Sequence, residues 1–284
     1  MKRNASWPAL GALALYAALS LAPVAWLVIT GFKSPADATA LPPRIFPGDA
    51  APENSLWFRF TFMNYRRMLS ELDAVHYFLN SIAVSLLSTA VSVLVGALAG
   101  YGFSRFRFRG SRLLQLFILL TRMVPPMAVA LPLSFLYSRT GLFDTRFGLI
   151  LLYTCCNLSF STWMMKAFFD EIPTAYDDAA RLDGYSRVRG FFRVVLPHSG
   201  PGLAATAVFC FISSWNEYAF ALTLTATEAV TMPVRIHAIL GDMGRLPWGP
   251  LAAAATLFLL PVAAFGLIMR RHLVRGITFG AVKG

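Results

Sequence analysis

Charged residues are scarce in this 284-residue sequence: 14% are Asp, Glu, Lys or Arg, against about 25% in soluble domains. The scarcity accompanies 57% hydrophobic residues and a mean hydropathy of +0.60. This composition excludes an ordinary soluble domain and an intrinsically disordered chain. We therefore predict a bundle of helices dissolved in lipid.

Cysteine is rare, and its positions exclude a disulfide framework. Cys155, Cys156 and Cys210 are odd in number and fall inside apolar stretches, with no His or Cys at metal-ligand spacing. We expect buried thiols and no metal site.

Catalytic motifs are missing as well. The sequence has no Gly-x-Ser-x-Gly, no His-Glu-x-x-His and no Gly-x4-Gly-Lys-Ser/Thr phosphate loop. The four histidines are scattered over different connecting segments. We expect no catalytic residue and no nucleotide or other cofactor bound by this chain, which argues against a membrane enzyme.

Six apolar stretches of about 20 residues are present, each long enough to cross a bilayer as a helix. The third contains Arg122, Pro125, Pro126 and Pro132, which predicts a kink. The predicted spans are residues 9–30, 79–103, 113–136, 147–168, 202–224 and 251–269.

Basic residues lie between these stretches, and the net charge is +11. A nucleic-acid binder would gather them on a solvated face, so we expect no nucleic-acid partner. One alternate set of connecting segments holds 15 Lys and Arg residues, and the other, with a long first loop, holds nine. Short loops rich in Lys and Arg stay in the cytoplasm, which predicts that both termini are cytoplasmic.

A cleaved signal peptide is the alternative interpretation of the first stretch. Lys2 and Arg3 precede it, and Ala36-Asp37-Ala38 resembles a cleavage site. The apolar run is longer than that of a signal peptide, and its removal would leave five spans. We expect the stretch to be retained.

The connection between the fourth and fifth spans, residues 170–198, is polar and is patterned as two short helices. The first is predicted to begin near Pro173 and to end at Gly184, residue types that favour those positions. The second is predicted to start after Ser186 as its N-cap and to end before Pro197.

Both predicted helices are amphipathic. In the first, an acid-first pair is expected between Asp177 and Arg181. Another face of the first helix carries Tyr176, Ala179 and Ala180. The small alanine side chains on this face allow a partner to approach closely. The apolar side of the second is Val188, Phe191, Phe192 and Val195. The pattern alone leaves open an amphipathic hairpin lying on anionic lipid.

The spacing within this connection resembles the EAA loop of ABC importer permeases, whose pattern is Glu-Ala-Ala-x3-Gly-x9-Ile-x-Leu-Pro. Asp178-Ala179-Ala180 is followed at the same intervals by Gly184 and Val194-Val195-Leu196-Pro197, with Asp in place of Glu and Val in place of Ile. In that family the first helix of the loop docks into the ATPase subunit. The resemblance implies the ATPase-coupling residues Asp178, Ala179, Ala180, Asp183, Gly184, Leu196 and Pro197.

Other stretches resemble the carbohydrate-type permeases of this family, the MalG-like subunits of maltose-type importers. They are Asn64-Tyr65, Phe78-Leu79-Asn80-Ser81, Arg122-Met123-Val124-Pro125-Pro126, Ser214-Trp215-Asn216-Glu217-Tyr218 and the tail 276–284. The resemblance implies an all-α type I importer permease with six transmembrane helices in the bacterial inner membrane.

The same resemblance implies partners. They are a second homologous permease subunit, an ATPase dimer that holds ATP and Mg, a periplasmic solute-binding protein, membrane lipid, and a carbohydrate or polyol substrate. The tail would reach toward the ATPase. The outer segment 225–248 resembles the family's periplasmic loop that probes the cleft of the binding protein. The first outer segment, 35–77, is proline-rich and then aromatic, and it is a further candidate to receive that protein.

Polar residues inside spans are unfavourable in lipid, so they indicate a function or a tie between helices. Those that suit a sugar, because they offer hydrogen bonds or aromatic faces, are Arg122, Asn157, Trp215, Asn216, Glu217 and Tyr218. The alternative stays open that Arg122 and Glu217 only join spans and that Trp215 and Tyr218 lie at the interface.

A self-sufficient secondary transporter of a small polar solute is the remaining alternative. It would predict inverted internal repeats and discontinuous spans. The sequence has no convincing repeat, and a secondary transporter gives no reason for the spacing of the EAA loop. We therefore expect a transport subunit that depends on a separate ATPase.

Overall fold

The structure is a computed structural model that describes residues 7–48, 55–70, 72–242 and 247–280. In this part of the chain two short strands, β1 (Phe46–Gly48) and β2 (Trp57–Arg59), accompany the helices. The α-helices in chain order are α1 (Trp7–Gly31), α2 (Pro35–Ala38), α3 (Met63–Ser70), α4 (Ala74–Arg105), α5 (Ser111–Leu120), α6 (Pro126–Thr140), α7 (Arg146–Glu171), α8 (Ala175–Leu182), α9 (Arg187–Gly190), α10 (Leu196–His198), α11 (Gly200–Trp215), α12 (Ala219–Leu224), α13 (Met232–Asp242) and α14 (Trp248–Gly280).

The chain folds as two compact units. The first combines Met1–His76 with Arg235–Leu260, and the second combines Tyr77–Val234 with Pro261–Gly284. The mostly helical fold expected from the composition is confirmed. The small parallel pair of β1 and β2, which joins Phe46 to Trp57, is an exception that an all-helical prediction omits.

Four helices in the described part are long and apolar enough to cross a membrane: α1, α4, α7 and Trp248–Arg270 of α14. Four of the predicted spans, 9–30, 79–103, 147–168 and 251–269, fall within these helices. Counting two bent helix pairs as single spans raises the number of candidate crossings to six.

The first bent pair corrects the predicted third span, 113–136. Its two parts, Ser111–Met123 and Pro126–Thr140, meet at 92°, so the expected kink is a full break. Val124 is extended, with ψ of 122°, because the residue before a proline is disfavoured in the helical region. A second proline follows directly, and α6 begins there with Pro126.

The predicted fifth span, 202–224, is not one helix. It falls on α11 and α12, and the chain leaves the helical conformation between Trp215 and Ala219. The second bent pair lies before it, where Arg187–His198 and Gly200–Trp215 meet at 80°.

In the second unit α4 and α7 approach closely because α4 carries glycine where they meet. A Cβ on Gly96 would lie 2.2 Å from the Ser161 hydroxyl, and one on Gly100 would lie 2.7 Å from the Lys166 backbone nitrogen. Small residues four apart are what close packing of membrane helices requires.

Buried hydroxyl groups continue this face of α4. The Ser88 hydroxyl donates to the Ser214 hydroxyl of α11 at 3.0 Å, and the Ser92 hydroxyl donates to the Thr154 carbonyl of α7 at 3.4 Å. Hydrogen bonds between helices replace those that lipid cannot offer. They fix α4, α7 and α11 side by side.

In the first unit Asn64 of α3, which is 1% exposed, joins α3 to the end of α1. Its side-chain amide donates to the carbonyls of Gly31 and Lys33, at 3.0 and 2.8 Å. A Cβ on Gly249 would lie 2.6 Å from the same amide. These contacts give Asn64, of the Asn64-Tyr65 pair noted in the sequence, a structural role.

Candidate functional site

Helix α8 occupies the predicted first helix of the connection 170–198 and begins at Ala175, two residues after Pro173. Its end follows the prediction. The Gly184 and Tyr185 amides donate to the carbonyls of Arg181 and Ala180, at 3.0 and 2.9 Å, and Gly184 has φ of +79°. This is a Schellman motif, which favours glycine because of the left-handed backbone.

The two faces of α8 differ from the predicted ones. Asp177 and Ala180 are buried, whereas Ala179 is exposed and Tyr176 is 39% exposed. The predicted shared face of Tyr176, Ala179 and Ala180 is therefore wrong. Ala180 faces its own chain, because a Cβ on Gly190 would lie 3.3 Å from the Ala180 methyl group.

The opposite side of α8 is exposed. Asp178 and Ala179 lie there, and Leu182 is 89% exposed. The Asp178 carboxylate accepts a long hydrogen bond of 3.5 Å from Arg181. This exposed face offers an acidic, a small and an apolar side chain.

The predicted pair of Asp177 with Arg181 is wrong. One Asp177 oxygen accepts from the Tyr101 hydroxyl, and the other accepts from Arg105 Nε at 2.8 Å. Both donors lie near the end of α4, and the side chains of Asp177 and Arg105 are each 9% exposed. The buried side of α8 is thus bound to a spanning helix.

Arg105 also binds the end of α7. Its two terminal nitrogens donate to the carbonyls of Phe169 and Ile172, at 3.0 and 2.8 Å. Phe169 lies in the last turn of α7 and Ile172 is its C-cap residue, so Arg105 binds the carbonyl end of that helix. Sequence reasoning missed Tyr101 and Arg105, and the available signal was an aromatic and a basic residue four apart at a span end.

The second part of the connection begins as predicted. The Ser186 hydroxyl accepts from the Arg189 amide at 3.3 Å and caps α9. The helix does not end before Pro197, however. A π-helix from Phe191 to Val195 follows, and α10 continues through Pro197.

The π-helix explains why the helix continues through Pro197 and why its predicted apolar side is split. The Leu196 amide donates to Phe191, five residues back, so the hydrogen bonds shift by one residue before the proline. The shift also splits the expected apolar side: Phe191 and Val195 are buried, whereas Val188 and Phe192 are 67% and 44% exposed. Leu196 is half-buried and Pro197 is exposed.

Two of the predicted translocation residues are buried between helices. The Asn157 side-chain amide donates to the Ser214 hydroxyl at 2.9 Å and to the Cys210 carbonyl at 3.4 Å, joining α7 to α11. Trp215 is 1% exposed, and its ring packs edge-to-face against Phe78 of α4, at 5.9 Å between centroids.

Glu217 lies at the break between α11 and α12. It accepts from the amides of Phe220 and Ala221, at 2.9 and 3.1 Å, and from the Tyr153 hydroxyl at 2.8 Å. A carboxylate at a helix N-terminus satisfies amides that have no intrahelical partner. In this structure Glu217 joins elements, which is the alternative that the sequence left open.

The other three candidates are more accessible. Arg122 is exposed, with its guanidinium 5.5 Å from the Phe160 ring centroid. Asn216 is exposed and donates to the Ile212 carbonyl at 2.8 Å, and Tyr218 is half-buried. The six candidates therefore divide into Asn157, Trp215 and Glu217, which join helices, and Arg122, Asn216 and Tyr218, which are more accessible.

Cysteine burial is corrected in part. Cys210 is buried as expected, but Cys155 and Cys156 are exposed on α7.

The tail 276–284 extends α14 to Gly280, and residues 281–284 lie outside the described part of the chain. Lys2 and Arg3 also lie outside it.

Asp144, between α6 and α7, is a second residue that sequence reasoning missed. Its carboxylate accepts from four consecutive backbone amides, Ala226 to Ala229, at 3.0 to 3.1 Å. Burial raises the pKa of Asp144, but these four amides outweigh it and hold the pKa below its usual range. The signal was an Asp in the short turn between two apolar stretches.

Asn80 and Ser81 hold the continuation of the same loop. The Asn80 amide donates to the carbonyls of Glu228 and Val230, at 2.8 and 2.9 Å, and the Ser81 hydroxyl accepts from the Met232 amide at 2.7 Å. The loop before α13 is therefore fixed by side chains from α4 and by Asp144. This accounts for the Asn80-Ser81 pair seen in the sequence.

The chain is similar to known transport proteins over nearly its whole length. It is 35% identical to the trehalose transport system permease protein SugB of Mycobacterium tuberculosis, over 100% of this chain and 99% of that protein. It is 33% identical to the trehalose/maltose transport system permease protein MalG of Thermococcus litoralis, over 95% and 94%.

The fold is similar to a solved structure. A chain in the crystal structure of a bacterial ABC transporter involved in the import of the acidic polysaccharide alginate matches with a TM-score of 0.72 and 23% identity, over 91% of this chain and 92% of that one. The family model for the binding-protein-dependent transport system inner membrane component matches residues 92–279. The chain therefore belongs to this family of multi-pass inner-membrane permease subunits of ABC transporters.

Proposed function

We propose that this permease subunit carries a carbohydrate or related polyol in an ATP-driven importer, and that a separate ATPase engages the exposed face of α8. Relatives at 33–35% identity are named for trehalose and maltose transport, which supports a carbohydrate. The observation that supports coupling to an ATPase is that α8 has an exposed face and a bound face. Asp178, Ala179 and Leu182 are exposed, whereas Asp177 is bound to α4.

The division gives α8 two connections. Its exposed face is available to an ATPase subunit, and the buried Asp177 joins it to a spanning helix. Ala180 and Gly184 serve the shape of the loop, through close packing on Gly190 and the left-handed turn, and Asp183 ends the helix. Leu196 and Pro197 lie in α10, which leads into α11.

Transport would proceed by alternating access. ATP and Mg bind to the ATPase dimer, and closure of that dimer moves α8 together with the spans that hold it. The spans then open outward to accept the solute from a solute-binding protein, and hydrolysis restores the inward state. In this orientation the connection 170–198 and both termini are cytoplasmic.

The permease would form half of the translocation pathway, with a second homologous permease as the other half. Of the six candidates, Arg122 and Asn216 are exposed, which leaves their side chains accessible to a sugar. Asn157, Trp215 and Glu217 would shape the path by holding helices, and Tyr218 offers a half-buried aromatic face.

The first test is to co-express this chain with its genomic neighbours and to purify it by a tag. We expect a second permease and an ATPase to co-purify, and we expect the neighbouring solute-binding protein to stimulate ATP hydrolysis with one sugar of a panel. A chain that purifies alone and moves solute down an ion gradient in liposomes would be a secondary transporter instead.

Asp178 supplies the matched variants. Asp178→Lys reverses the charge on the exposed face of α8 and should abolish sugar-stimulated hydrolysis while the chain still inserts. Asp178→Glu keeps the charge and restores the residue usual in the EAA pattern, so stimulation should remain. Normal sugar-stimulated turnover in Asp178→Lys would contradict the docking of the ATPase on this face.

A further inference from the structure

One guanidinium group joins three segments of this permease. Arg105 belongs to the last turn of α4, donates to two carbonyls at the end of α7, and donates to Asp177 of α8. Its terminal nitrogen that binds Phe169 also donates to the Ser104 hydroxyl at 3.0 Å. Few side chains offer this many donors in a rigid plane, and lysine does not.

Asp177 is fully engaged by one face of α4. Tyr101 and Arg105 are four residues apart, so both side chains project from the same side of the helix. Each donates to a different oxygen of the Asp177 carboxylate. The position of α8 along α4 is therefore set by two contacts, and a carboxylate held at two points resists rotation as well as displacement.

An apolar cluster lies beneath this polar contact. The Tyr101 ring packs against Phe191 of the π-helix and Phe169 of α7, at 4.7 and 5.7 Å between centroids. Phe169 and Phe191 are 0% and 2% exposed. Hydrogen bonds beside such a cluster are shielded from water, which strengthens them and makes an unpaired charge there unfavourable.

We propose that Arg105, Tyr101 and Asp177 form the joint that makes α8 move as one body with the ends of α4 and α7, with Arg105 as its positioning residue. The proposal rests on the proposed function, in which the ATPase engages the exposed face of α8. Displacement of α8 then pulls on both spanning helices through one buried contact.

Capping of α7 by Arg105 is the simpler role to be distinguished. That role needs only the bonds to Phe169 and Ile172, and Asp177 and Tyr101 contribute nothing to it. Asp177→Asn removes the negative charge at almost unchanged volume and leaves the cap in place. Tyr101→Phe removes one hydroxyl and keeps the packing on Phe191.

The experiment uses the whole complex of permeases and ATPase in liposomes, with the solute-binding protein and the sugar that stimulates the wild type. The measured quantity is sugar taken up per ATP hydrolysed. We expect Asp177→Asn to lower this ratio about tenfold, within the range of coupling between distant sites, and Tyr101→Phe to lower it less. The control is Glu171→Gln, which removes the same charge from an exposed residue and should leave the ratio unchanged.

The ratio separates a joint from a merely structural contact. A structural contact would lower the yield of the assembled complex and both rates together, and an unchanged ratio in Asp177→Asn would overturn the joint. If that variant does not assemble, an unchanged ratio in Tyr101→Phe overturns it. Failure of the proposed function would appear in the wild type, as an absence of hydrolysis stimulated by the binding protein and sugar.

Discussion

Two aspartates of this permease hold neighbouring segments in different ways. Asp144 accepts from four consecutive main-chain amides and the Thr227 hydroxyl, whereas Asp177 accepts from the side chains of Tyr101 and Arg105. Main-chain amides are present whatever residues the loop carries, apart from proline. Side-chain donors exist only while two particular residues stay on one face of α4.

The difference bears on how each region can change. The loop 226–229 can vary its side chains while Asp144 keeps its backbone in shape. The contact at Asp177 depends on residue identity at three positions in two helices. We expect substitutions to be tolerated in the loop around Asp144 and to be disruptive at the Asp177 contact.

Arg105→Gln gives the largest expected effect. It leaves the buried Asp177 carboxylate without its cation and removes the guanidinium bonds to two carbonyls at the end of α7, so the free energy of unfolding should fall by about 3 kcal/mol, as for one removed partner of a buried pair. Unfolding of the purified protein in detergent measures this. The control is Arg107→Gln, an exposed residue two positions further on, with an expected change within about 0.5 kcal/mol. Equal changes in the two variants would contradict the special role of Arg105.

Asp144→Ala should have the next largest effect. It removes the acceptor of four amides, and Asp144 has φ of 55°, which alanine tolerates less well than Asp or Asn. We expect a loss of about 2 kcal/mol in the free energy of unfolding, and about 1 kcal/mol for Asp144→Asn, which keeps one oxygen and the backbone preference. Unfolding of the two variants side by side tests this order, and the reverse order would show that the carboxylate does not hold the loop.

The accurate predictions in this chain rest on local rules for how helices begin and end. Gly184 ends α8 in a left-handed turn and Ser186 caps α9, as their residue types indicate. Both depend on neighbours within five residues. Apolar runs likewise located α1, α4, α7 and most of α14, because a lipid-spanning helix leaves a long unbroken signal.

The contacts that a local rule could not find are the distant ones. The spacing of four between Asp177 and Arg181 predicted a pair. Instead Arg105, 72 residues away, donates to the Asp177 carboxylate, because the fold buries the two side chains next to each other. Asp144 binds amides 82 to 85 residues away. The continuation through Pro197 also escaped prediction, since it depends on the preceding π-helix.

Acid should reveal the ionised form of Asp144. Because its pKa is lowered in the folded chain, its contribution to stability is present above the unfolded carboxyl pKa of about 3.9 and is lost as pH falls through the folded pKa. The difference of about 1 kcal/mol between wild type and Asp144→Asn should therefore stay constant from pH 7 to about pH 5 and shrink below about pH 4. Unfolding measured across this pH range decides it, and a difference that grows in acid would contradict the lowered pKa.

The smallest effect is expected for Thr227→Val. The substitution removes the Thr227 hydroxyl bond to Asp144, at 3.0 Å, but keeps the amide bond of the same residue. We expect a loss of about 0.5 kcal/mol, the lower end for a hydrogen bond at an exposed site, and unchanged stimulation of hydrolysis by the solute-binding protein. A loss as large as that of Asp144→Ala would mean that the loop depends on its side chains, and the distinction between the two aspartates would then disappear.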